Sequence, residues 1–156
     1  MIDETGNIDK SKLIIPQLAG LYGVVAPLGY AFIRIVIAAV LLPDGLEKIF
    51  FGGTNRIAVG NITKLGLQYP YAWAWAVALL EFIGSILLAL GLFTRPVAVA
   101  FAVMLTVIVF GIALPRGYFW TVNGAEVGLV LDFAVIGFIF GGGGRYSVDR
   151  LIGREF

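Results

Sequence analysis

The stretch LLEFIGSILLALGLFTRP (Leu79–Pro96) is apolar enough for the interior of a membrane, yet it contains an acid. No other charged residue follows Glu81 until Arg95. A helix crosses the roughly 30 Å of hydrocarbon in a bilayer with about 20 apolar residues, because each residue adds about 1.5 Å. A carboxylate at that depth is costly unless it meets a partner or a polar cavity. The stretch therefore predicts part of a transmembrane helix and an internal partner for Glu81.

The composition extends this interpretation to the whole chain. Of its 156 residues, 60% are hydrophobic and 13% are charged, and the mean hydropathy is +0.96. A soluble domain averages about 45–50% apolar and about 25% charged residues, so the excess apolar surface requires lipid. The 21 glycines suit close contacts between membrane helices. The length fits one domain, and a net charge of +1 gives no indication of a nucleic-acid partner.

Cysteine and histidine are both absent from the sequence. The chain therefore has no disulfide or thiol redox pair, and it lacks the usual protein ligands of haem, zinc and copper. We predict no metal site. Any electron transfer would have to use the cofactor of a partner or a bound quinone, so we do not expect the chain to be catalytic alone.

Four apolar segments are long enough to cross a bilayer. They lie at about residues 27–51, 71–92, 96–114 and 122–140. The connections FTRP and PRGYFWT are short, so the helices that they join should run antiparallel. The predicted fold class is all-α, an integral membrane four-helix bundle with antiparallel up-down helices and short interfacial segments at both termini.

Prolines and glycines mark the ends of these segments. Pro27, Pro70 and Pro96 fall at predicted helix starts, where a missing N–H costs no hydrogen bond. The triplet PDG at 43–45 is expected to break the first helix near its far end. The glycines at 141–144 are expected to end the fourth helix.

We divide the chain into one membrane domain, residues 27–141, and two flanking parts. Residues 1–26 form a tail and an apolar stretch that is too short to span and should lie along the membrane interface. Residues 142–156 form a C-terminal tail with an interfacial turn that Ser147 can cap. Between the first two spans, Asn61 is expected to cap a short helix that ends at Gly66.

Basic and aromatic residues predict the orientation in the membrane. One side receives both tails and the connection between the second and third helices, with Lys10, Lys12, Arg95, Arg145, Arg150 and Arg154. The other side receives fewer basic residues, namely Lys48, Arg56, Lys64 and Arg116. The excess predicts that both termini are cytoplasmic. An aromatic belt is expected at the opposite interface, formed by Tyr69, Tyr71, Trp73, Trp75, Tyr118, Phe119 and Trp120.

Charged residues inside the predicted helices form a second pattern. They are Arg34, Lys48, Glu81, Glu126 and Asp132. Their depths place Arg34 within reach of Glu81 or Asp132, and Lys48 within reach of Glu126. Charges of both signs on several helices indicate an internal polar network, because ionisable groups in lipid usually face one another or a cavity.

Small residues accompany the charges on two helix faces. At 100° per residue, one stripe of the first helix contains Arg34, Ala38, Leu41, Gly45 and Lys48, and one stripe of the second contains Ala74, Ala78, Glu81 and Ser85. Both faces suit packing against another helix rather than against lipid.

Three roles for the network remain open on the residues alone. It could only fix the register and pairing of the helices, as some buried polar groups do. It could also bind a small polar head group, such as a quinone carbonyl. In the third case, Glu81 would carry a proton along a path through the membrane.

Several ordered motifs resemble the DoxX family of small membrane proteins. They are RIVIAAVLLPDGLEKIF (34–50), LGLQYP (65–70), EFIGSILLALGLFTRP (81–96), GAEVGLVL (124–131) and GGGGRYSVD (141–149). Carried over one by one, the family's positions in this chain are Arg34, Gly45, Lys48, Glu81, Arg95, Glu126, Arg145, Ser147 and Asp149.

The resemblance implies a four-helix protein of a bacterial or archaeal inner (plasma) membrane. It also implies association with membrane redox systems that involve quinol oxidases and thiosulfate oxidation. We therefore expect an accessory or anchoring subunit of a larger membrane electron-transfer complex, with lipid and a quinone as ligands. A quinone-linked oxidoreductase subunit acting on sulfur compounds is the alternative hypothesis, and a small transporter or proton conduit is the second alternative.

Overall fold

The computed structural model describes residues 13–153, and all the regular secondary structure in this range is helical. No strand is present in this range, so the all-α class is confirmed for it. We label the helices in chain order as α1 (Ala19–Phe50), α2 (Gly53–Ile57, continued by turns over Ala58–Ile62 and Thr63–Leu65), α3 (Pro70–Leu90), α4 (Thr94–Arg116), α5 (Glu126–Gly141) and α6 (Val148–Ile152). The predicted N-terminal tail (1–12) and the last three residues, with Lys10, Lys12 and Arg154, lie outside the described residues.

Within residues 13–153, three helices are long and apolar enough to cross a membrane: Pro16–Phe50, α3 and α4. The outer surface agrees with this property. Phe32, Phe133 and Phe140 are 67%, 70% and 81% exposed. The exposure of such rings to water is unfavourable, but their exposure to lipid tails is favourable, because the tails are as apolar as the side chains themselves.

Helix α1 is continuous through both of its internal prolines, Pro27 and Pro43. The predicted start at Pro27 and the predicted break at PDG are therefore wrong. A proline removes the hydrogen bond to the carbonyl four residues earlier and crowds that carbonyl. Transmembrane helices tolerate this because neighbouring helices, side chains, water and local changes in the turn satisfy the freed backbone groups. From Ala19 onward, the stretch predicted to lie along the interface thus forms the first turns of α1, whose length is about 48 Å at 1.5 Å per residue.

Helix α5 begins at Glu126, later than the predicted start near residue 122. The preceding connection is folded by its own hydrogen bonds: the Ala125 N–H donates to the Gly117 carbonyl at 3.0 Å, and the Glu126 N–H donates to the Tyr118 carbonyl at 2.8 Å. These bonds fix residues 117–125 as a compact loop outside the helix. The far end agrees with the prediction, because α5 ends at Gly141 in the glycine run.

The connection between α1 and α3 is helical over more of its length than predicted. It is helical from Gly53, so Asn61 lies inside a turn and is not the N-cap. Gly66 ends the helical segment with a left-handed backbone (φ 71°), as expected. Asn61 instead accepts a hydrogen bond from Arg116 at 3.0 Å, which places this segment beside the end of α4.

The two predicted small-residue stripes lie at helix contacts: Gly45 of the first meets α3 at Glu81 and Phe82, and Ala74 of the second packs with Ala58 and Ile62 after α2. Their members are nearly all buried: Ala38, Leu41, Gly45, Ala74, Ala78, Glu81 and Ser85. Helix α4 packs mainly on α5, while smaller contacts of α3 with α4 and of α1 with α5 close the core. Phe101, Leu88 and Val135 fill its centre and are fully buried.

Gly45 allows the closest approach of α1 to α3. A Cβ atom at this position would lie 2.5 Å from the backbone nitrogen of Phe82 and 2.8 Å from the carbonyl carbon of Glu81. Backbone atoms cannot rotate away as a flexible side chain can, so any larger residue would push the two helices apart.

We predict that Gly45→Ala destabilises the protein by about 1–3 kcal/mol, the usual result of overpacking a tight contact. Gly29→Ala is the matched control, because it lies on the same helix and a Cβ there would meet nothing within 4 Å. The free energy of unfolding, measured by SDS titration in mixed micelles, should separate the two variants. Equal stability of both variants would contradict the close contact.

Candidate functional site

Arg34 is buried, with 2% of its surface exposed, and its guanidinium donates to backbone carbonyls. Nη1 donates to the Gly143 carbonyl, and Nη2 donates to the carbonyls of Tyr146 at 2.7 Å and Ala89 at 3.3 Å. The predicted pairing of Arg34 with Glu81 or Asp132 is therefore wrong. Carbonyl oxygens at the ends of other helices take the place of the expected carboxylate.

The position of these carbonyls explains the choice of an arginine. Ala89 lies in the last turn of α3, and Gly143 follows the end of α5. The last carbonyls of a helix lack intrahelical donors and carry partial negative charge. A forked, permanently charged guanidinium supplies several donors at once, so one side chain satisfies two helix ends.

Asp149 performs the opposite task at the start of α4. Its carboxylate accepts hydrogen bonds from the N–H of Phe93 at 2.8 Å, the N–H of Thr94 at 3.0 Å and the Thr94 hydroxyl at 3.0 Å. An acid at a helix N-terminus is favourable because the first N–H groups are unpaired. Asp149 thus caps α4 from a distant part of the chain.

Two further residues complete this group. Ser147 accepts from the Arg150 N–H at 3.2 Å and so caps α6, as predicted. The Tyr30 hydroxyl donates to the Gly142 carbonyl at 2.8 Å. We call Tyr30, Arg34, Thr94, Ser147 and Asp149 the cap cluster. Its contacts are with backbone groups and with one another, which is the pattern of a structural unit.

Lys48 and Glu81 form the buried ion pair of the described region. Nζ of Lys48 lies 2.5 Å from Oε2 of Glu81, and the side chains are only 14% and 5% exposed. The predicted pairing of Lys48 with Glu126 is wrong. Helical side chains point back toward the N-terminus of their helix, so Lys48 reaches away from the end of α1 and toward the level of Gly45, where α3 is closest.

Glu81 lies in a π turn, Leu80–Gly84, within α3. The described chain has two further π segments, Ala58–Ile62 and Val109–Ala113, so the turn alone does not mark a functional site; its extra residue widens the turn and redirects a side chain. The rings of Phe50 and Phe82 meet edge to face beside the pair, with centroids 6.2 Å apart. We call Asp44, Lys48, Glu81 and Phe82 the ion-pair site.

The beginning of α2 packs against the ion-pair site on one side. A Cβ at Gly53 would lie 2.8 Å from Cα of Lys48, so the two backbones are in contact. Glu47 and Arg56 form a second, exposed ion pair at 2.5 Å that ties α2 to the end of α1. An exposed pair contributes little stability, about 0–1 kcal/mol, so the packing of Gly53 matters more.

The other two acids of the predicted network lie apart from the ion-pair site. Oε2 of Glu126 accepts from the Trp120 N–H at 3.0 Å, in the loop before α5. Oδ2 of Asp132 accepts from the Thr106 hydroxyl at 3.0 Å, between α4 and α5. Hydrogen bonds within residues 13–153 thus divide the predicted single network into separate local groups.

Three buried polar side-chain atoms have no hydrogen-bond partner among residues 13–153: Nε of Arg34, Oγ of Ser85 and Oδ1 of Asp132. Ser85 follows Glu81 by four residues on the same face of α3. The remaining positions of the family motifs are on the surface or near it, with Arg145 exposed and Arg95 half-buried. No cluster of three or more potential metal ligands occurs in the described range.

The ion-pair site differs from the cap cluster in the donors of Lys48. Nζ of Lys48 has three protons; it donates one to Oε2 of Glu81, and the Nζ atom lies 3.5 Å from the carbonyl oxygen of Asp44. The third proton is available for a carbonyl or oxyanion. Sequence reasoning identified both residues of the pair but missed the π turn, which leaves no trace in helical periodicity.

The long apolar helices and the lipid-compatible surface define the class: this is an integral membrane protein. The DoxX family model matches residues 29–114, which is more than half of the chain, and the protein belongs to this family. The match includes Arg34, Gly45, Lys48 and Glu81, and so covers the ion-pair site.

Two relatives cover most of the chain. An uncharacterized protein of Haemophilus influenzae is 32% identical over 132 residues, which are 80% of this chain and 90% of the relative. An uncharacterized membrane protein of Mycobacterium tuberculosis is 24% identical over 133 residues, which are 79% of this chain and 80% of the relative. No solved structure matches the chain.

We predict that Arg34→Leu lowers the free energy of unfolding by about 3 kcal/mol or more, because it leaves several buried carbonyls without donors. Arg34→Lys should have an intermediate effect, since an ammonium cannot fork between two helix ends. Unfolding by SDS in mixed micelles measures both. Arg145→Gln is the control, because Arg145 is exposed in the same segment and its loss should change stability by less than about 0.5 kcal/mol. Equal effects at both arginines would exclude the capping role.

Proposed function

We propose that the protein is a small accessory subunit of a membrane electron-transfer complex and contributes a binding site for a quinone head group. The observation that supports this proposal is the ion pair between Lys48 and Glu81. The pair is desolvated by the packing of α1, α2 and α3, yet Lys48 keeps a donor for a ligand. The subunit itself supplies no redox centre, so the electrons would pass between the quinone and a cofactor of the partner.

The chemistry of the site suits a quinone in two respects. A quinone carbonyl accepts a hydrogen bond, and an ammonium held in place by a carboxylate is a strong donor in a low-dielectric environment. Phe50 is 64% exposed and its ring packs edge to face on Phe82, the residue after Glu81. Aromatic rings favour offset or edge-to-face contacts with other flat rings. The apolar tail of a quinone would remain in the surrounding lipid.

We predict that Lys48→Met weakens binding of a short-chain quinone analogue by about 10- to 100-fold, the effect of losing one charge-assisted hydrogen bond of about 1.5–3 kcal/mol. The protein would be reconstituted in nanodiscs and titrated with the analogue. Quenching of the native tryptophans reports binding, because Trp73 and Trp75 lie on the same helix as Glu81. Lys64→Met is the control, since Lys64 is exposed and far from the pair in sequence.

A second variant separates binding from folding. Removing one partner of a buried pair leaves an uncompensated charge and costs about 3–5 kcal/mol, whereas removing both often costs little. The double variant Lys48→Met with Glu81→Met should therefore fold well and still fail to bind. Unchanged quinone affinity in this variant would show that the pair only holds α1 against α3, and the proposed site would be wrong.

The accessory role has its own test. Affinity purification in mild detergent should retain a defined redox partner. If the protein instead purifies alone and reduces a quinone analogue at the expense of thiosulfate, the sulfur-linked oxidoreductase hypothesis replaces the accessory role. Proton flux through liposomes that contain the protein alone, abolished by Glu81→Gln, would favour the conduit hypothesis.

We further propose that α5 is the fourth membrane span of an antiparallel bundle in a bacterial inner membrane, with both termini cytoplasmic. At about 24 Å, α5 is shorter than the hydrocarbon core, and a short helix is accommodated by local thinning of the bilayer or by flanking polar residues. The basic residues that favour this orientation include Arg95, Arg145 and Arg150.

The absence of native cysteine makes this topology directly testable. We predict that Asn123→Cys and Lys64→Cys react with a membrane-impermeant maleimide in intact cells, whereas Arg145→Cys reacts only after permeabilisation. Labelling of Asn123→Cys and Arg145→Cys from the same side would show that α5 does not cross. The parent chain is the control, because it has no thiol to label.

A further inference from the structure

The segment after α5 has an exposed face that combines positive charge with apolar side chains. Arg145 and Arg150 are exposed. Leu151 and Ile152 are 87% and 60% exposed, and Tyr146 is 46% exposed. An exposed leucine and isoleucine on a short helix are unfavourable in water and suit the boundary between lipid head groups and acyl chains.

The acid of this segment does not neutralise its arginines. Asp149 is 3% exposed, and its carboxylate is occupied by the N–H groups of Phe93 and Thr94 and by the Thr94 hydroxyl. The face formed by Arg145, Arg150 and Leu151 is therefore basic and apolar without an exposed acid among residues 141–153.

The segment is also held in a fixed position. Arg34 binds the carbonyls of Gly143 and Tyr146, and the Asp149 N–H donates to the Gly91 carbonyl at 3.0 Å. These contacts join it to the ends of the long helices. Phe140, the last ring of α5, is 81% exposed and so marks lipid immediately before the arginines.

We propose that this face, formed by Arg145, Tyr146, Arg150, Leu151 and Ile152, is a docking surface for anionic phospholipids. The guanidiniums bind the lipid phosphates, for which arginine has matching forked donors, while Leu151 and Ile152 insert between the acyl chains. This inference does not depend on a ligand at Lys48, which lies about 21 Å along α1 from Arg34 of the cap cluster.

The test is lipid selection by the purified protein. The protein is equilibrated in mixed micelles with equal amounts of phosphatidylglycerol and phosphatidylcholine, and the retained lipids are counted by native mass spectrometry. Each basic side chain near an anionic surface contributes roughly a factor of five, so Arg145→Gln with Arg150→Gln should lower the preference for phosphatidylglycerol by roughly 30-fold at low salt.

The control is Lys64→Gln with Arg116→Gln, which removes the same charge from exposed positions elsewhere. An equal fall in both double variants would overturn the proposal, because net charge alone would explain it. Displacement of phosphatidylglycerol by inorganic phosphate, beyond that produced by sodium chloride of equal ionic strength, would also overturn it and indicate a site for free anions.

A second measurement keeps the arginines in place. A nitroxide on Leu151→Cys should be more accessible to oxygen than to a water-soluble nickel complex in vesicles of three parts phosphatidylcholine to one part phosphatidylglycerol. The chain has no other thiol, so the label is unique. Accessibility equal to that of a fully aqueous label in these vesicles would overturn the docking of α6 on lipid.

Discussion

The buried guanidinium of Arg34 holds together the ends of helices that lie far apart in the sequence. Helix ends in a membrane protein have carbonyls that neither intrahelical donors nor lipid can satisfy. Arg34 donates hydrogen bonds to the carbonyls of Ala89 in α3, Gly143 after α5 and Tyr146 before α6. Asp149 supplies the matching acceptor at the start of α4. The two charges of the cap cluster are therefore explained by the backbone groups that they bind: Arg34 binds carbonyls, and Asp149 binds N–H groups.

The ion pair of Lys48 and Glu81 obeys the same constraint by a different route. It requires two helices whose backbones touch, which Gly45 permits, and a turn that directs Glu81 toward α1, which the π turn provides. Unlike the cap cluster, it pairs two side chains and leaves a donor of Lys48 without a described acceptor. Because of this difference, we assign a structural role to the cap cluster and propose ligand binding at the ion-pair site.

Much of the architecture could be predicted from the sequence, because hydropathy, small-residue stripes and end signals are local. The buried stripes on α1 and α3, the start at Pro70, the end at Gly141 and the cap by Ser147 all follow from residue types and spacing. The continuity of α1 could not be predicted in this way, because the rules for proline come from water-soluble helices and overstate the effect of Pro27 and Pro43 in this helix.

The partners of the charged residues were harder to predict for a physical reason. Depth alone places Lys48 near Glu126, but the side chain points back along α1 and the helix contact brings Glu81 instead. Arg34 was expected to find a carboxylate, whereas its acceptors are carbonyls, and every residue has a carbonyl whatever its type. The π turn at Glu81 could not be predicted from the sequence either, because one extra residue in a turn hardly alters the spacing of apolar residues.

The continuity of α1 has a mechanical consequence. Arg34 and Lys48 lie on one unbroken helix, about 21 Å apart along its axis at 1.5 Å per residue. One is fastened to the end of α3 at Ala89 and the other to its middle at Glu81. Because α1 contacts α3 at these two separate points, it can neither slide nor rotate against α3 without breaking both contacts. We therefore expect α1 and α3 to move together as one unit.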